Sequence, residues 1–179
     1  MSSALQIVGA NIKGDRVKND FYPTPIEATE ALLKNQKFEG EIWECACGDG
    51  AISKVLLQHG YKVYSSDLIN RGYGVPEKDF LQSDLRADNI VTNPPFNLSL
   101  EFALKALQVV RKKAVFFHKL VFLESKKRHN DLFKLNKLEK VLIMPGRLAF
   151  KGHKSGGLMC FAWFVFDVNY NGKPTIDWI

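Results

Sequence analysis

Short apolar runs alternate with helix-spaced segments along this chain, and turn residues separate most of them. Ile42-Trp43-Glu44-Cys45-Ala46 reads as a buried strand. Gly48-Asp49-Gly50 then turns the chain into a segment with Ile52, Val55 and Leu56 at helical spacing. A second strand spans 61–66 and ends at Asp67. A short third is expected at Asp79-Phe80-Leu81, a fourth at 89–92, a fifth at 114–117, and the last two at 140–144 and 160–166. Helices are expected through Ala28, Leu32 and Leu33, from Leu98 to Val110, and over 131–136. Thr24 is placed to cap the first helix, with Pro25 at its first position. Such alternation requires crossover connections, which give an α/β fold: a mostly parallel sheet with helices on both faces. Ligands of these sheets sit beyond the carboxyl ends of the strands.

The chain has 179 residues, enough for one domain, and residues 1–19 read as a polar arm ahead of a single domain over 20–179. With 46% hydrophobic and 25% charged residues, the composition is globular. The first thirteen residues carry no charged start leading into an apolar run, and no stretch reaches the ~20 apolar residues of a membrane span. Three cysteines make no disulfide framework, which suits a reducing, cytoplasmic setting. The four histidines have no metal-ligand spacing with the cysteines or one another, so no metal is expected. A net charge of +6 leans toward a polyanionic partner, and clusters such as Lys126-Lys127-Arg128 lie in the second half.

Glu44 to Gly50 leaves a strand and enters a helix, where glycines allow a sharp turn and close approach of a ligand. Two cofactor classes suit it. A dinucleotide fingerprint needs G-x-G-x-x-G/A, and Gly48, Gly50 and Ser53 match two of its three small positions. A loop for the methionine part of S-adenosylmethionine needs an acidic residue at the strand end, which Glu44 supplies. Asp67, ending the second strand, can accept ribose hydroxyls of either cofactor. Asp79-Phe80 suits an adenine, the carboxylate meeting its amino group and the aromatic covering its ring.

Asn93-Pro94-Pro95-Phe96 is more specific. The prolines fix two φ angles and remove two amide donors, so the Pro94 carbonyl is held in a set direction. With the Asn93 side-chain oxygen it offers two acceptors to the two hydrogens of a planar amine. Such an amine is a poor nucleophile, and accepting both hydrogens stabilises the charge that grows on it during attack. Phe96 can stack on the target ring, as aromatics do with extruded bases. His118 and Lys119, at the end of the fifth strand, are placed where they could touch a substrate.

These motifs together resemble the amino-methyltransferase branch of the class I S-adenosylmethionine-dependent methyltransferases, in the gamma-type order of DNA adenine methyltransferases. The resemblance covers roughly 20–167 and implies a Rossmann-like, seven-stranded sheet whose final strand, 160–166, is antiparallel. It implies S-adenosyl-L-methionine as cofactor, surrounded by Tyr22, Thr24, Pro25, Glu44, Cys45, Gly48, Gly50, Asp67, Leu68, Asp79, Phe80 and Asn93. It makes Asn93, Pro94, Pro95 and Phe96 the catalytic loop, and places Arg147 and Phe150, with the basic Lys151 and Lys154, at the substrate. The implied substrate is nucleic acid, adenine N6 in DNA before an RNA amino group, with protein glutamine a third class. The family's separate target-recognition domain has no counterpart here, so low specificity or a specificity-conferring partner protein is expected. Small size and basic loops suit a viral, phage-type enzyme.

Overall fold

The computed structural model describes residues 21–146, 148 and 159–179. The expected arm over 1–19 and the substrate residues Arg147, Phe150, Lys151 and Lys154 lie outside the described residues.

Seven strands form one sheet: β1 (Ile42–Glu44), β2 (Val63–Ser65), β3 (Ala87–Thr92), β4 (Val110–Lys119), β5 (Leu138–Ile143), β6 (Phe161–Asp167) and β7 (Thr175–Trp178). Their order across the sheet is β2-β1-β3-β4-β6-β5-β7. Among the described strands, only β6 runs against its neighbours, pairing antiparallel with β4 and β5, so 161–166 is reversed as expected. β7, which the residue pattern does not announce, adds a parallel edge strand beside β5. Its Ile176 and Trp178 alternate with Thr175 and Asp177, but the alternation lasts only four residues and all four are exposed.

The count of seven is met by a different set of strands. Asp79-Phe80-Leu81 is not a strand, because the Asp79 carboxylate accepts from the Leu81 amide at 2.9 Å and nucleates a 3-10 turn over Phe80–Gln82. Phe80 is apolar and buried as a strand residue would be, but it packs edge-on against Trp43.

Helix α1 (Ile26–Asn35) and helix α2 (Ala51–Gln58) cover one face of the sheet. Leu32, Leu33, Val55 and Leu56 meet Ile42, Val91, Phe117 and Trp163 there. Helix α3 (Ser99–Val109) covers the other face, its Phe102, Ala103 and Ala106 meeting Trp43, Ile90, Phe116 and Phe164. Adjacent strand residues thus divide between two cores, as the period of two requires. Trp163 completes the first core and donates its indole N–H to the Ala28 carbonyl at 2.8 Å. The helix expected at 131–136 lies earlier, as α4 (Lys126–Asp131), followed by a 3-10 turn at Phe133–Leu135.

Thr24 does not cap α1. Pro25 takes the N-cap position with extended backbone and no side-chain bond, and the Thr24 hydroxyl is directed elsewhere. Among the described residues, no helix is long and apolar enough to cross a membrane, and no cluster of three metal-ligating side chains occurs.

Candidate active site

β1 connects outward to β2 on one side of the sheet, and β3 lies on its other side, so the strand order reverses between β1 and β3. Loops diverging from such a reversal leave a crevice at the strand ends. A cleft of about 500 Å³ opens there. Tyr22, Thr24, Glu44, Cys45, Gly48, Asp67, Leu68, Asp79, Phe80, Asn93 and Pro95 line it, bringing together residues expected at the cofactor and in the catalytic loop. Pro25, Gly50, Pro94 and Phe96 do not line it.

One wall is the loop after β1. Gly48 and Gly50 take φ of 57° and 81°, left-handed values that a side chain resists. A Cβ at Gly48 would collide with the Phe21 ring, and one at Gly50 would lie 2.6 Å from Tyr73. Asp67 accepts from the Gly48 amide of this loop at 2.8 Å through one oxygen and from the Ile69 amide of its own loop at 2.8 Å through the other. Each oxygen keeps a second lone pair for a ligand hydroxyl. Glu44 is buried and accepts from the Ser53 amide at 2.8 Å and from the Ser53 hydroxyl. Burial, aided by the nearby Asp49 and Asp67 charges, raises its pKa to about 8, against the bonds from Ser53 that lower it. Asp49 also lines the cleft, and its buried Oδ1 has no hydrogen-bond partner among the described residues.

Glu44, Asp49 and Asp67 together at this wall of the cleft, one with an unsatisfied oxygen, favour a cationic ligand. S-adenosylmethionine, with its ammonium and sulfonium, fits that demand. A dinucleotide pyrophosphate would bring negative charge to the same carboxylates. The neighbouring thiols are no metal or nucleophile set: burial raises Cys45 strongly and Cys47 to about 12, so both stay protonated.

The loop after β3 forms the opposite side. Asn93 donates both amide hydrogens, to the Tyr22 carbonyl at 3.0 Å and to the Thr24 hydroxyl at 3.0 Å. This is where the Thr24 side chain is used. The two bonds leave Oδ1 as the atom without a described donor. Pro94 is buried behind it, and the Pro95 carbonyl accepts from Leu98 to close a turn into α3. Tyr22 lies nearly parallel to the Phe96 ring, with centroids 6.0 Å apart.

β4 runs ten residues, well past the expected 114–117, and carries His118 and Lys119 to the side of Phe96. His118 is buried between Phe116 and Phe122, its Nε2 without a hydrogen-bond partner among the described residues, and burial with the Arg128 charge lowers its pKa to about 3. The ring is neutral at physiological pH and acts as packing. Arg128 secures the turn after β4 by donating to the carbonyls of Phe122 at 2.6 Å and Val121 at 3.1 Å, and to that of Glu124.

Sequence reasoning did not assign Phe21, Cys47, Asp49, Arg71, Lys78 or Phe102 to the site, yet all line the cleft. Asp49 lay within the glycine motif and could have been found by its charge. Arg71, whose guanidinium stacks 4.1 Å from the Phe21 ring centroid, carried no signal, because only folding joins those loops.

No protein-family model matches the chain, and no curated protein matches its sequence. Solved structures do. A Pyrococcus horikoshii protein taken to be an RNA methyltransferase superposes with a TM-score of 0.66 at 17% identity, over 92% of this chain and 95% of that one. A Listeria monocytogenes protein assigned as a class I S-adenosylmethionine-dependent methyltransferase gives 0.63 at 12% identity, over 98% of this chain and 69% of that one. The fold is that of the class I methyltransferases. A modification subunit assigned to a type I restriction enzyme of Vibrio vulnificus gives 0.62 at 14% identity, over 90% of this chain but 46% of that longer one. In this methyltransferase fold the cleft occupies the strand-end crevice, and β6 is the reversed strand among those described.

Proposed function

We propose that this chain transfers the methyl group of S-adenosylmethionine to the exocyclic amino group of a nucleobase, adenine N6 in DNA, with little sequence specificity. The observation that carries this reading is the pinned Asn93 amide. With both N–H groups engaged by Tyr22 and Thr24, Oδ1 is the atom offered to a substrate, and only a donor satisfies it.

The cofactor supplies a methyl group on a positively charged sulfur. Glu44, Asp49 and Asp67 would hold its cationic and hydroxyl groups, and the Gly48–Gly50 turn would let it approach the backbone. Phe80 would face the adenine from below, buried against Phe102 with centroids 4.9 Å apart. On the other side, Asn93 Oδ1 and the Pro94 carbonyl would accept the hydrogens of the target amine and stabilise the charge that grows there. The nitrogen loses a proton after the new bond forms, so no strong base is needed, and His118, held neutral and buried, is not placed to serve as one.

The second reading is an RNA amino-methyltransferase. Its support is the near end-to-end match to the Pyrococcus protein taken to be an RNA methyltransferase. Single strands also present bases without the cost of extrusion. The test is incubation with methyl-labelled cofactor and, separately, duplex DNA, single-stranded DNA, RNA and protein, followed by digestion and identification of the modified unit. N6-methyladenine in DNA is the expected product. Label confined to RNA selects the second reading, methylglutamine selects a protein substrate, and no label on any of them overturns the proposal.

A further inference from the structure

The cleft is rich in carboxyl groups and short of cations. Glu44, Asp49, Asp67 and Asp79 line it, while the cations among its described lining residues are Arg71 and Lys78. S-adenosylmethionine carries an ammonium and a sulfonium, but its amino-acid end also carries a carboxylate. Placed beside these acidic groups without a cation, that carboxylate would lose its hydration and meet like charge.

The two cations are placed differently. Lys78 is exposed and adjoins Asp79 and Phe80, the residues read as the adenine end of the cleft. Arg71 is half-buried, and its guanidinium lies 4.1 Å from the centroid of the Phe21 ring. That ring is the one a Cβ at Gly48 would strike, so Phe21 links Arg71 to the glycine turn. Stacking engages the face of a guanidinium and leaves its N–H donors in the plane, directed outward. None of them has a hydrogen-bond or ion-pair partner among the described residues. Asp49, the residue after Gly48, keeps its buried Oδ1 without a hydrogen-bond partner among them as well. One turn thus gathers unpaired donors of positive charge and an unpaired acceptor of negative charge. An α-amino acid carries the matching pair, a carboxylate and an ammonium on one carbon.

Resting on the S-adenosylmethionine reading above, we propose that Arg71 holds the carboxylate of the cofactor's amino-acid end while Asp49 takes its ammonium. Arg71 thereby selects the intact amino acid over the decarboxylated amine. A guanidinium can meet a carboxylate through two parallel hydrogen bonds, and the Phe21 ring fixes its plane before the cofactor arrives.

The experiment measures, by calorimetry, binding of S-adenosylmethionine and of its decarboxylated form, which keeps the sulfonium, the amine and the adenosine. The proteins are the full chain and its Arg71→Met and Arg71→Lys variants. For the wild type, the decarboxylated form is expected to bind about tenfold or more weakly, the loss of one charge-assisted pair. Arg71→Met should erase or invert that preference by weakening S-adenosylmethionine without weakening the decarboxylated form. Arg71→Lys, which keeps the charge but not the planar fork, should retain part of it. Equal wild-type affinity for the two ligands overturns the proposal, as does a preference that survives intact in Arg71→Met. An equal loss on both ligands in Arg71→Met also overturns it, since Arg71 would then only brace Phe21. Unchanged cofactor binding with a shallower salt dependence of nucleic-acid binding overturns it too, because that marks a phosphate contact. Binding of neither ligand by the wild type overturns the cofactor reading itself, and the role of Arg71 falls with it.

Discussion

The two sides of the cleft are built on opposite principles. The β1–β2 side is carboxylates held by backbone: Asp67 grips Gly48 and Ile69, and Glu44 grips Ser53. The β3–β4 side is aromatic rings and a pinned amide, with Asn93 tied to Tyr22 and Thr24, and Phe96 set among Tyr22, His118, Lys119 and Phe161. One side suits a polar cation of fixed chemistry. The other offers a flat surface and a single oriented acceptor, which suits a planar ring. The division teaches that binding of the cofactor and choice of the target can fail separately.

The strongest way to break that separation is Asn93→Ala. Transfer is expected to fall about 10²–10³-fold, as when one preorganised transition-state hydrogen bond is removed. Because Asn93 also tethers Tyr22 and Thr24, which line the cleft, cofactor affinity should fall a few-fold as well, and calorimetry checks it. Unchanged kcat would remove Asn93 from the chemistry.

Next in size is Gly48→Ala, confined to the other side. Its φ of 57° and the Phe21 ring both oppose a Cβ, so a loss of about 1–3 kcal/mol in stability is expected from backbone strain. Cofactor affinity should drop with it, read by thermal melts with and without cofactor. A variant that melts like the wild type would show that Phe21 yields.

A pH titration sharpens the comparison further. Glu44 titrates near 8 in the folded chain against 4.5 ordinarily, so the folded state holds a proton that the unfolded state releases. The stability contribution of this group therefore declines as pH rises from about 4.5 to about 8, and is constant outside that window. A cationic cofactor favours the ionised form, so its affinity should rise with pH up to about 8. Glu44→Gln should flatten both dependences, and a cofactor affinity in the wild type that falls with pH would contradict the cation assignment.

The smallest effect is expected from Thr24→Val, which removes one of the two acceptors pinning Asn93. A loss of about 1 kcal/mol, roughly five-fold in kcat/KM, should follow from one missing hydrogen bond. Equal activity would mean that the Tyr22 carbonyl suffices.

Much of this architecture is legible from residue patterns. Strand-length apolar runs at 42–44, 63–65 and 161–166 fall where periodicity puts them, since each side of the sheet is buried by a helix and a slip would expose it. The loops at Gly48 and Asn93 are legible because their backbone needs specific residues. Legibility fails where a tertiary partner decides. Phe80 is as apolar as a strand residue, but the Asp79 side chain caps a turn there. Thr24 looks like a helix cap until Asn93, far along the chain, takes its hydroxyl. β7 is exposed at all four positions, and its Ile176 and Trp178 alternate over too short a run to stand out. Arg71 and Phe21 meet only because two loops converge.

The tethered Asn93 amide also sets a population. Turned over, the amide would lose its hydrogen bond to the Tyr22 carbonyl and point its oxygen at that carbonyl, while the Thr24 hydroxyl could rotate to donate to it. At about 1 kcal/mol for that bond, the inverted form amounts to about one molecule in five or fewer. Most copies of the protein thus meet their target with the oxygen already facing out, and the selection of an amine is made before any ligand arrives.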